Sequence, residues 1–288
     1  MTAVLIDWLR ERLWNRARRP VWQVKPRPAV DTAQIALPLK FEQRPPCAQN
    51  EIDIFAGHWA SDLSDIAPGT ASGKVRHFSE DRRPVEAMKA LGAKKPAGEL
   101  RILELGPLEA GHTYQFEKMG VGEIVAIEAN IEAYLKCLIV KNIANLRNVR
   151  FLLGDIVEYL KHDQSRYDFI FCCGVLYHMK DPLELIQLMA ARTDQIYLWT
   201  HYFTEESRPG LPTVTVTHRD ESYIYHQLAY ENMDAGTFWG GNKPVASFLS
   251  RDDVLRAFRQ HGFTQFQLHH EDLQHPAGPC LSVSLWRK

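Results

Sequence analysis

The stretch that decides the fold begins with the last two residues of an aliphatic strand candidate, Arg101–Leu105. It reads Glu104-Leu105-Gly106-Pro107-Leu108-Glu109-Ala110-Gly111-His112. A strand that enters a glycine-containing turn and then a helix is the unit from which helix-covered parallel sheets are built. Glycines in such a turn let backbone N–H groups approach a ligand closely. The stretch therefore predicts an α/β fold with a ligand site at the end of its first strand.

The same alternation of strands and helices continues to residue 202 and resumes after residue 248. Helical patterns near 113–119, 130–142, 156–162 and 182–192 separate aliphatic runs, which is typical of a parallel sheet covered on both faces. The five strand candidates are Arg101–Leu105, Glu123–Glu128, Val149–Leu153, Asp168–Cys173 and Gln195–Thr200. A helix at 250–261 and strands at 264–270 and 280–286 follow, and no helix separates these last two strands. We therefore expect an antiparallel hairpin at the end of a doubly wound, mostly parallel sheet with an antiparallel last strand.

Acidic residues stand at the ends of the first three strand candidates, namely Glu104, Glu128 and Asp155. An acid about 20 residues beyond the first turn of a nucleotide-binding fold accepts hydrogen bonds from ribose hydroxyls. An acid after the third strand is placed to meet an adenine amino group. Each acid taken alone also fits a helix N-cap. Three of them at successive strand ends favour a cofactor that contains adenosine.

These motifs resemble those of the class I S-adenosylmethionine-dependent methyltransferases over residues 78–202, and more weakly over 248–288. Glu104-Leu105-Gly106 resembles the start of the family's first motif. Gly174-Val175-Leu176-Tyr177-His178 resembles a loop of the tRNA wobble-uridine carboxymethyltransferase-like branch. The resemblance implies a seven-stranded sheet and S-adenosylmethionine as the cofactor. It implies a cofactor site at Glu104, Gly106, Pro107, Glu128, Ala129, Asp155, Ile156, Cys173 and Gly174.

Two positions of the first turn depart from the family pattern, which has glycine where this chain has Leu108 and Ala110. Side chains at these positions resist a positive φ, so the geometry of the turn stays open. A dehydrogenase of similar fold needs its glycines intact to seat a pyrophosphate at the helix N-terminus. We expect Glu109 to lie beside that position, where a carboxylate repels pyrophosphate and tolerates a cationic sulfonium. This contrast favours methyl transfer over hydride transfer.

The candidate catalytic residues are Tyr177, His178 and His201, which follow the fourth and fifth strands. Open α/β sheets bind ligands at the carboxyl ends of their strands, and neighbouring strands lie about 4.8 Å apart. The two histidines are therefore expected to face one acceptor, where an imidazole suits a general base. His178 also fits a cap of the following turn, and His201 also fits a packed edge residue.

Residues 203–247 interrupt the alternation with prolines and glycines, and we interpret them as an inserted lid with a hinge at Gly240-Gly241. The lid carries aromatic side chains that either contact an acceptor or pack the lid onto the core. These are Tyr223, Tyr225, Tyr230, Phe238 and Trp239. Six acids against three bases give the segment a local charge of −3, which disfavours a polyphosphate substrate.

Upstream of the sheet, Asp81-Arg82-Arg83 fits either a contact to the cofactor carboxylate or a helix cap. His269 and His270 are neighbours on a strand and point to opposite faces, so no metal site is expected there. We expect residues 1–98 to form a helical and extended N-terminal wrap and residues 99–288 to form the methyltransferase domain.

The composition excludes several classes of protein. A net charge of −1 argues against a chain-wide polyanion-binding surface, although residues 1–30 carry a local charge of +5 around a helix at 4–14. Five cysteines without a C-x-x-C pair and no membrane-length apolar run predict a cytoplasmic protein without a membrane span. Self-association into a homo-oligomer stays open.

The predicted reaction is S-adenosylmethionine-dependent methyl transfer to oxygen or nitrogen of a small molecule, such as a natural-product or sugar intermediate. One alternative is a tRNA wobble-base (carboxy)methyltransferase, which the basic arm at 10–27 favours. The other is a cofactor-binding protein without catalysis, which the altered glycine turn favours.

Overall fold

The computed structural model describes residues 41–92, 95–230, 233 and 240–288. The predicted helix at 4–14, the basic arm at 10–27, and Phe238 and Trp239 lie outside the described residues. Residues Pro45–Lys288 form one unit, and all elements named below belong to it.

The strands of the described residues form two sheets. They are β1 (Arg101–Leu105), β2 (Glu123–Glu128), β3 (Val149–Leu153), β4 (Phe169–Cys173), β5 (Gln195–His201), β6 (Thr213–His218), β7 (Glu221–Ala229), β8 (Val245–Phe248), β9 (Gln265–Asp272) and β10 (Cys280–Trp286). The main sheet has seven strands in the order β3-β2-β1-β4-β5-β10-β9. Strands β1 to β5 are parallel, and β10 is antiparallel to β5 and to β9. The predicted seven-stranded sheet with its terminal hairpin and reversed last strand is confirmed.

The helices of the described residues are α1 (Ala48–Ile52), α2 (Arg83–Leu91), α3 (Gly111–Lys118), α4 (Ile131–Ile143), α5 (Ile156–His162), α6 (Pro182–Arg192) and α7 (Arg251–Gln260). Four of them begin at a side chain that accepts a backbone N–H of the first turn, namely Asn130, Asp155, Asp181 and Ser250. Such caps satisfy helix N–H groups that have no partner within the helix. They fix where each helix starts after its strand, and so they fix the loops at the carboxyl edge of the sheet.

Both faces of the main sheet are buried, as a doubly wound sheet requires. Neighbouring strand residues point to opposite faces, so Ile102 and Leu103 of β1 belong to different apolar clusters. One cluster packs α6 and α7 against the sheet. The other packs residues 52–91, called the N-terminal segment below, against the opposite face, with Trp59 and Phe78 among the buried side chains. The N-terminal segment thereby covers the face that carries Phe171.

The inserted segment contains a three-stranded antiparallel sheet in the order β6-β7-β8, which the sequence interpretation did not contain. Tyr223 and Tyr225 of β7 are buried in the apolar cluster under α7, so these two aromatics pack the segment onto the core. Among the described residues, no helix combines the length and the apolar composition that a membrane crossing requires.

Candidate functional site

The carboxyl edge of the sheet carries the predicted cofactor residues. Glu104 and Glu128 lie near or at the ends of β1 and β2, Asp155 follows β3, and Cys173 ends β4. Ala129 follows Glu128, Ile156 begins α5, Pro107 lies in the turn after β1, and Gly174 follows β4. The sheet therefore brings all nine predicted residues to one edge.

Glu104 is buried, and only one of its two carboxyl oxygens has a hydrogen-bond partner. The Thr113 hydroxyl donates to Oε2 at 2.5 Å. The other oxygen, Oε1, is buried without a hydrogen-bond partner, and Nδ1 of His112 lies 3.9 Å from it. Burial raises the pKa of the Glu104 carboxyl to about 8. A carboxyl group kept from water, with one unused oxygen, is the group that a cationic ligand would stabilise in its charged form.

Glu128 is buried as well, and its carboxylate fixes the turn after β1. It accepts the N–H of Leu108 at Oε2 over 3.1 Å and the N–H of Asn130 at Oε1 over 2.8 Å. Burial raises its pKa. Since a carboxylate offers about four lone-pair sites, the backbone donors do not use all of them, and room is left for a hydroxyl donor.

Asp155 is the N-cap of α5. A helix N-cap was the alternative role considered for each of the three acids. Its Oδ1 accepts the N–H groups of Val157 and Glu158 at 2.8 and 3.0 Å. Its Oδ2 accepts the side-chain amide of Asn242, from the inserted segment, at 2.5 Å. Asp155 therefore joins the end of β3 to the segment that follows β7.

The turn after β1 adopts a glycine-like path although two of its residues are not glycine. Leu108 has φ of 54° and Ala110 has φ of 61°, both in the left-handed region. Gly106 also has a positive φ, and a Cβ there would lie 2.8 Å from the Val175 side chain. Left-handed backbone costs roughly 1–2 kcal/mol per non-glycine residue, so the turn is held under strain.

The side chain of Glu109 does not lie where the sequence argument placed it. Its carboxylate is 2% exposed and accepts the N–H groups of Ala60 and Ser61 at 3.1 and 2.8 Å. The ammonium of Lys136 lies 3.1 Å away. The carboxylate fastens the N-terminal segment instead of facing a ligand, so the expectation that it would discriminate against pyrophosphate is wrong.

Arg83 lies at the same edge and is held in place by Asp81. Asp81 accepts hydrogen bonds from the Arg83 guanidinium and from Nε2 of His112, the latter at 2.7 Å. The guanidinium carbon lies 5.0 Å from the ring centre of Trp199. Because Trp199 is on β5, this cation sits over the sheet near the end of β4, on the side of the buried Glu104.

The three predicted catalytic residues form one group after β4 and β5. The ring of Tyr177 lies 4.7 Å from that of His201 and 4.1 Å from that of His178, measured between ring centres. Nδ1 of His178 is 2.9 Å from the hydroxyl of Tyr230 in the inserted segment. Burial, together with repulsion from His201 in its protonated form, lowers the pKa of His178 to about 4. His178 is therefore neutral at pH 7 and engaged with the insertion.

His201 is held in a single tautomer by the turn before β10. Its Nδ1 lies 2.8 Å from the carbonyl oxygen of Gly278 and 3.2 Å from that of Pro279. Carbonyl oxygens only accept, so Nδ1 carries the hydrogen and Nε2 keeps its lone pair. Burial lowers the pKa of His201. This imidazole is neutral at pH 7 and presents a basic nitrogen.

Sequence reasoning did not place two residues in this group. Arg208 stacks on Phe248, with its guanidinium carbon 4.4 Å from the ring centre. The ring of His275 lies 5.0 Å from that of His201. Neither residue belongs to a recognisable motif, and only the position of the β9–β10 hairpin brings them to the edge.

Ligand atoms of His201, His275 and Cys280 lie within 4.8 Å of one another, the one such group among the described residues. Nδ1 of His275 accepts the N–H of Ala277 at 3.1 Å, so its other nitrogen carries the hydrogen in the neutral ring. Burial raises the pKa of the Cys280 thiol. Because metal ligation requires a thiolate and free nitrogen lone pairs, we assign no metal to this group.

A seven-stranded sheet with one reversed strand, with acids at the ends of its first three strands, is the arrangement found in class I S-adenosylmethionine-dependent methyltransferases, and solved proteins of that class are similar to this chain. The N-terminal domain of EvdMO1, solved with SAH bound, is similar with a TM-score of 0.59 and 26% identity, over 75% of this chain and 87% of that chain. The same domain, solved in the presence of SAH and D-fucose, is similar with a TM-score of 0.59 and 25% identity, over 76% of this chain and 86% of that chain.

A curated relative, tRNA U34 carboxymethyltransferase of Campylobacter hominis, is 23% identical over 87 residues, which cover 30% of this chain and 30% of the relative. The similarity thus spans about a third of the length of the curated relatives that match. No protein-family model matches the chain.

Proposed function

We propose that this protein transfers a methyl group from S-adenosylmethionine to an oxygen or nitrogen of a small molecule, with a sugar hydroxyl as the favoured acceptor. The fold and the edge residues support the methyltransferase class. The similarity to the EvdMO1 domain, whose structure was determined in the presence of SAH and D-fucose, supports a sugar.

The residues at the edge fit the proposed cofactor. Glu104 offers a buried carboxyl oxygen without a hydrogen-bond partner, and a cation is the ligand that suits it. Glu128 has lone pairs left for ribose hydroxyls, and Arg83 suits the carboxylate of the methionine group. When bound, S-adenosylmethionine supplies an electrophilic methyl group on a cationic sulfur, which leaves as a neutral thioether.

The protein's own contribution to the chemistry is to place the acceptor and to remove its proton. Nε2 of His201 takes the proton from the acceptor hydroxyl as the new C–O bond forms. The carbonyls of Gly278 and Pro279 stabilise the imidazolium that results, because they already accept from Nδ1. Tyr177 and Trp199 flank the imidazole with aromatic rings, which limits the approach of water.

The observation that carries the proposal is the fixed tautomer of His201. A histidine that only packs at an edge also needs a partner for one ring N–H, but it has no use for a second ring nitrogen whose lone pair stays free. On this chain both are present at the carboxyl end of the strand next to β4.

The test is a methyl-transfer assay by mass spectrometry with S-adenosylmethionine and a panel of monosaccharides that includes D-fucose. Replacing His201 with alanine is expected to lower kcat well over tenfold, since a general base contributes about 10²–10⁴. Calorimetric affinity for S-adenosylhomocysteine should stay unchanged. In the wild type, kcat should fall on acidification only below the ordinary histidine pKa, because burial lowers the pKa of His201.

His275→Ala is the matched control, because that ring neighbours His201 but its nitrogen is engaged by Ala277. It should keep kcat within a few-fold of the wild type. An unchanged rate in His201→Ala, or a wild type that methylates no hydroxyl or amine on the panel, would contradict the proposal.

A second candidate acceptor is the wobble base of a tRNA, which the curated relatives favour by name. Binding of tRNA should weaken steeply with salt, because phosphate contacts release counterions. A gel-shift titration from low to high salt separates the two acceptors. A response that is flat in salt removes tRNA, and a steep response with methylated tRNA as product replaces the sugar.

A further inference from the structure

Arg208 is a cation on the acceptor side of the site that the proposed reaction does not yet use. It is half-buried, and its guanidinium carbon lies over the ring of Phe248, 4.4 Å from the ring centre. Its Nη2 donates to the carbonyl oxygen of Ala277 at 2.7 Å. The position of the guanidinium is therefore set by a ring on one side and a carbonyl oxygen at one nitrogen.

This cation has no acidic partner among the residues that the structure describes. Arg83, at the same edge, is paired with Asp81, and Arg251 is paired with Glu271. A guanidinium has five N–H donors, and within the described chain Arg208 uses one of them on a protein acceptor. The remaining donors suit an anionic ligand.

The turn at 277–279 connects Arg208 to the candidate base. Ala277 accepts from Arg208, and Gly278 and Pro279 accept from Nδ1 of His201. Gly278 has φ of 97°, and a Cβ there would lie 2.3 Å from Nη1 of Arg208. The guanidinium therefore rests on a residue that has to be glycine, directly over the turn that orients the imidazole.

We propose that Arg208 binds a carboxylate of the acceptor, so that the substrate is a hydroxy acid, such as a sugar acid, whose hydroxyl is presented to His201. The inference rests on the proposed function, since it names the class of the acceptor in that reaction. The planar fork of arginine matches a carboxylate with two parallel hydrogen bonds. A single carboxylate also suits the local charge of −3 on residues 203–247, which disfavours a dianionic phosphate.

The test compares two sugars that differ at one carbon. D-fucose has a methyl group where D-galacturonate has a carboxylate. Binding of each to the S-adenosylhomocysteine-loaded protein is measured by calorimetry for the wild type, Arg208→Gln and Arg208→Lys. The wild type should bind D-galacturonate about tenfold or more tightly than D-fucose, as a charge-assisted bidentate contact allows. Arg208→Gln should abolish this preference while leaving the affinity for D-fucose within about twofold, and Arg208→Lys should restore part of it.

Arg219→Gln is the matched control, because this arginine of the same segment bonds the carbonyl of Gln260 away from the edge. It should keep the preference intact. Equal binding of the two sugars by the wild type, or an equal loss for both sugars in Arg208→Gln, would overturn the inference, the second because it shows a merely structural role. Tighter binding of D-galactose 6-phosphate than of D-galacturonate would also overturn it, as would failure of every sugar to bind.

Failure of the proposed function looks different. In that case the carboxylate preference persists in the wild type and is lost in Arg208→Gln, but His201→Ala does not change the rate of methylation. Binding thus reports on Arg208, and turnover reports on His201.

Discussion

Binding of S-adenosylmethionine is expected to release a proton from Glu104. Burial raises the pKa of this carboxyl to about 8, so at pH 7 about nine tenths of the free protein carries the proton. A cationic ligand next to Oε1 favours the ionised carboxylate and lowers that pKa. Binding at pH 7 should therefore release about 0.9 of a proton, and the apparent Kd should fall nearly tenfold as the pH rises from about 6 to about 7, and about fivefold from about 7 to about 8. Above the pKa of the free protein the dependence should level off.

The assay is titration calorimetry in buffers of different ionisation enthalpy, repeated across that pH range. Glu104→Gln removes the titrating group, so the difference between wild type and variant isolates the contribution of Glu104 from that of the ligand's own amino group. The Thr113 hydroxyl donates to Oε2 and thereby lowers the pKa of Glu104. Thr113→Val removes this hydroxyl, so the pKa of Glu104 should rise. This variant should move the levelling point to higher pH. Equal proton release by the wild type and Glu104→Gln would refute the placement of the cation beside Glu104.

Two further predictions concern stability and are measured by denaturant unfolding. Leu108 has φ of 54°, so Leu108→Gly should be more stable than Leu108→Ala by about 0.5–1 kcal/mol, because glycine adopts left-handed backbone without strain. Elsewhere alanine is usually the more stable of the two, and that usual order here would show that the turn is unstrained. Glu109→Gln should lower the free energy of unfolding by about 3 kcal/mol, because the buried Lys136 loses a charged partner, and a loss below about 1 kcal/mol would show that Glu132 suffices for that lysine.

Much of the main sheet was predictable because buried parallel strands leave continuous aliphatic runs. The runs at Glu123–Glu128 and Val149–Leu153 coincide with β2 and β3 to the residue. Strand β6, in contrast, consists of threonines and valines in a largely exposed edge, between prolines and glycines that suggested a loop. An exposed strand has no apolar face to reveal it, so the small sheet was missed.

The candidate site was predictable where its residues follow strands directly. His201 and Glu104 stand on strands whose order fixes their edge. The orientation of Glu109 was not predictable, because successive residues of a turn with positive φ on either side point in directions that sequence spacing does not specify. Arg208 was not predictable either, since its neighbours Phe248 and Gly278 are 40 and 70 residues away in the chain.

The reversal of β10 brings the turn at 277–279 to the edge of the sheet that carries His201. A strand parallel to β5 would begin at the opposite edge of the sheet, far from His201. Because β10 is antiparallel, its first residue, Cys280, pairs with His201, and the preceding turn lies at the carboxyl edge. The carbonyls of that turn then set the tautomer of the imidazole and hold the guanidinium of Arg208. The feature that distinguishes this sheet from a plain dinucleotide-binding sheet is therefore also the feature that lets one turn bond both the proposed base, His201, and the guanidinium of Arg208.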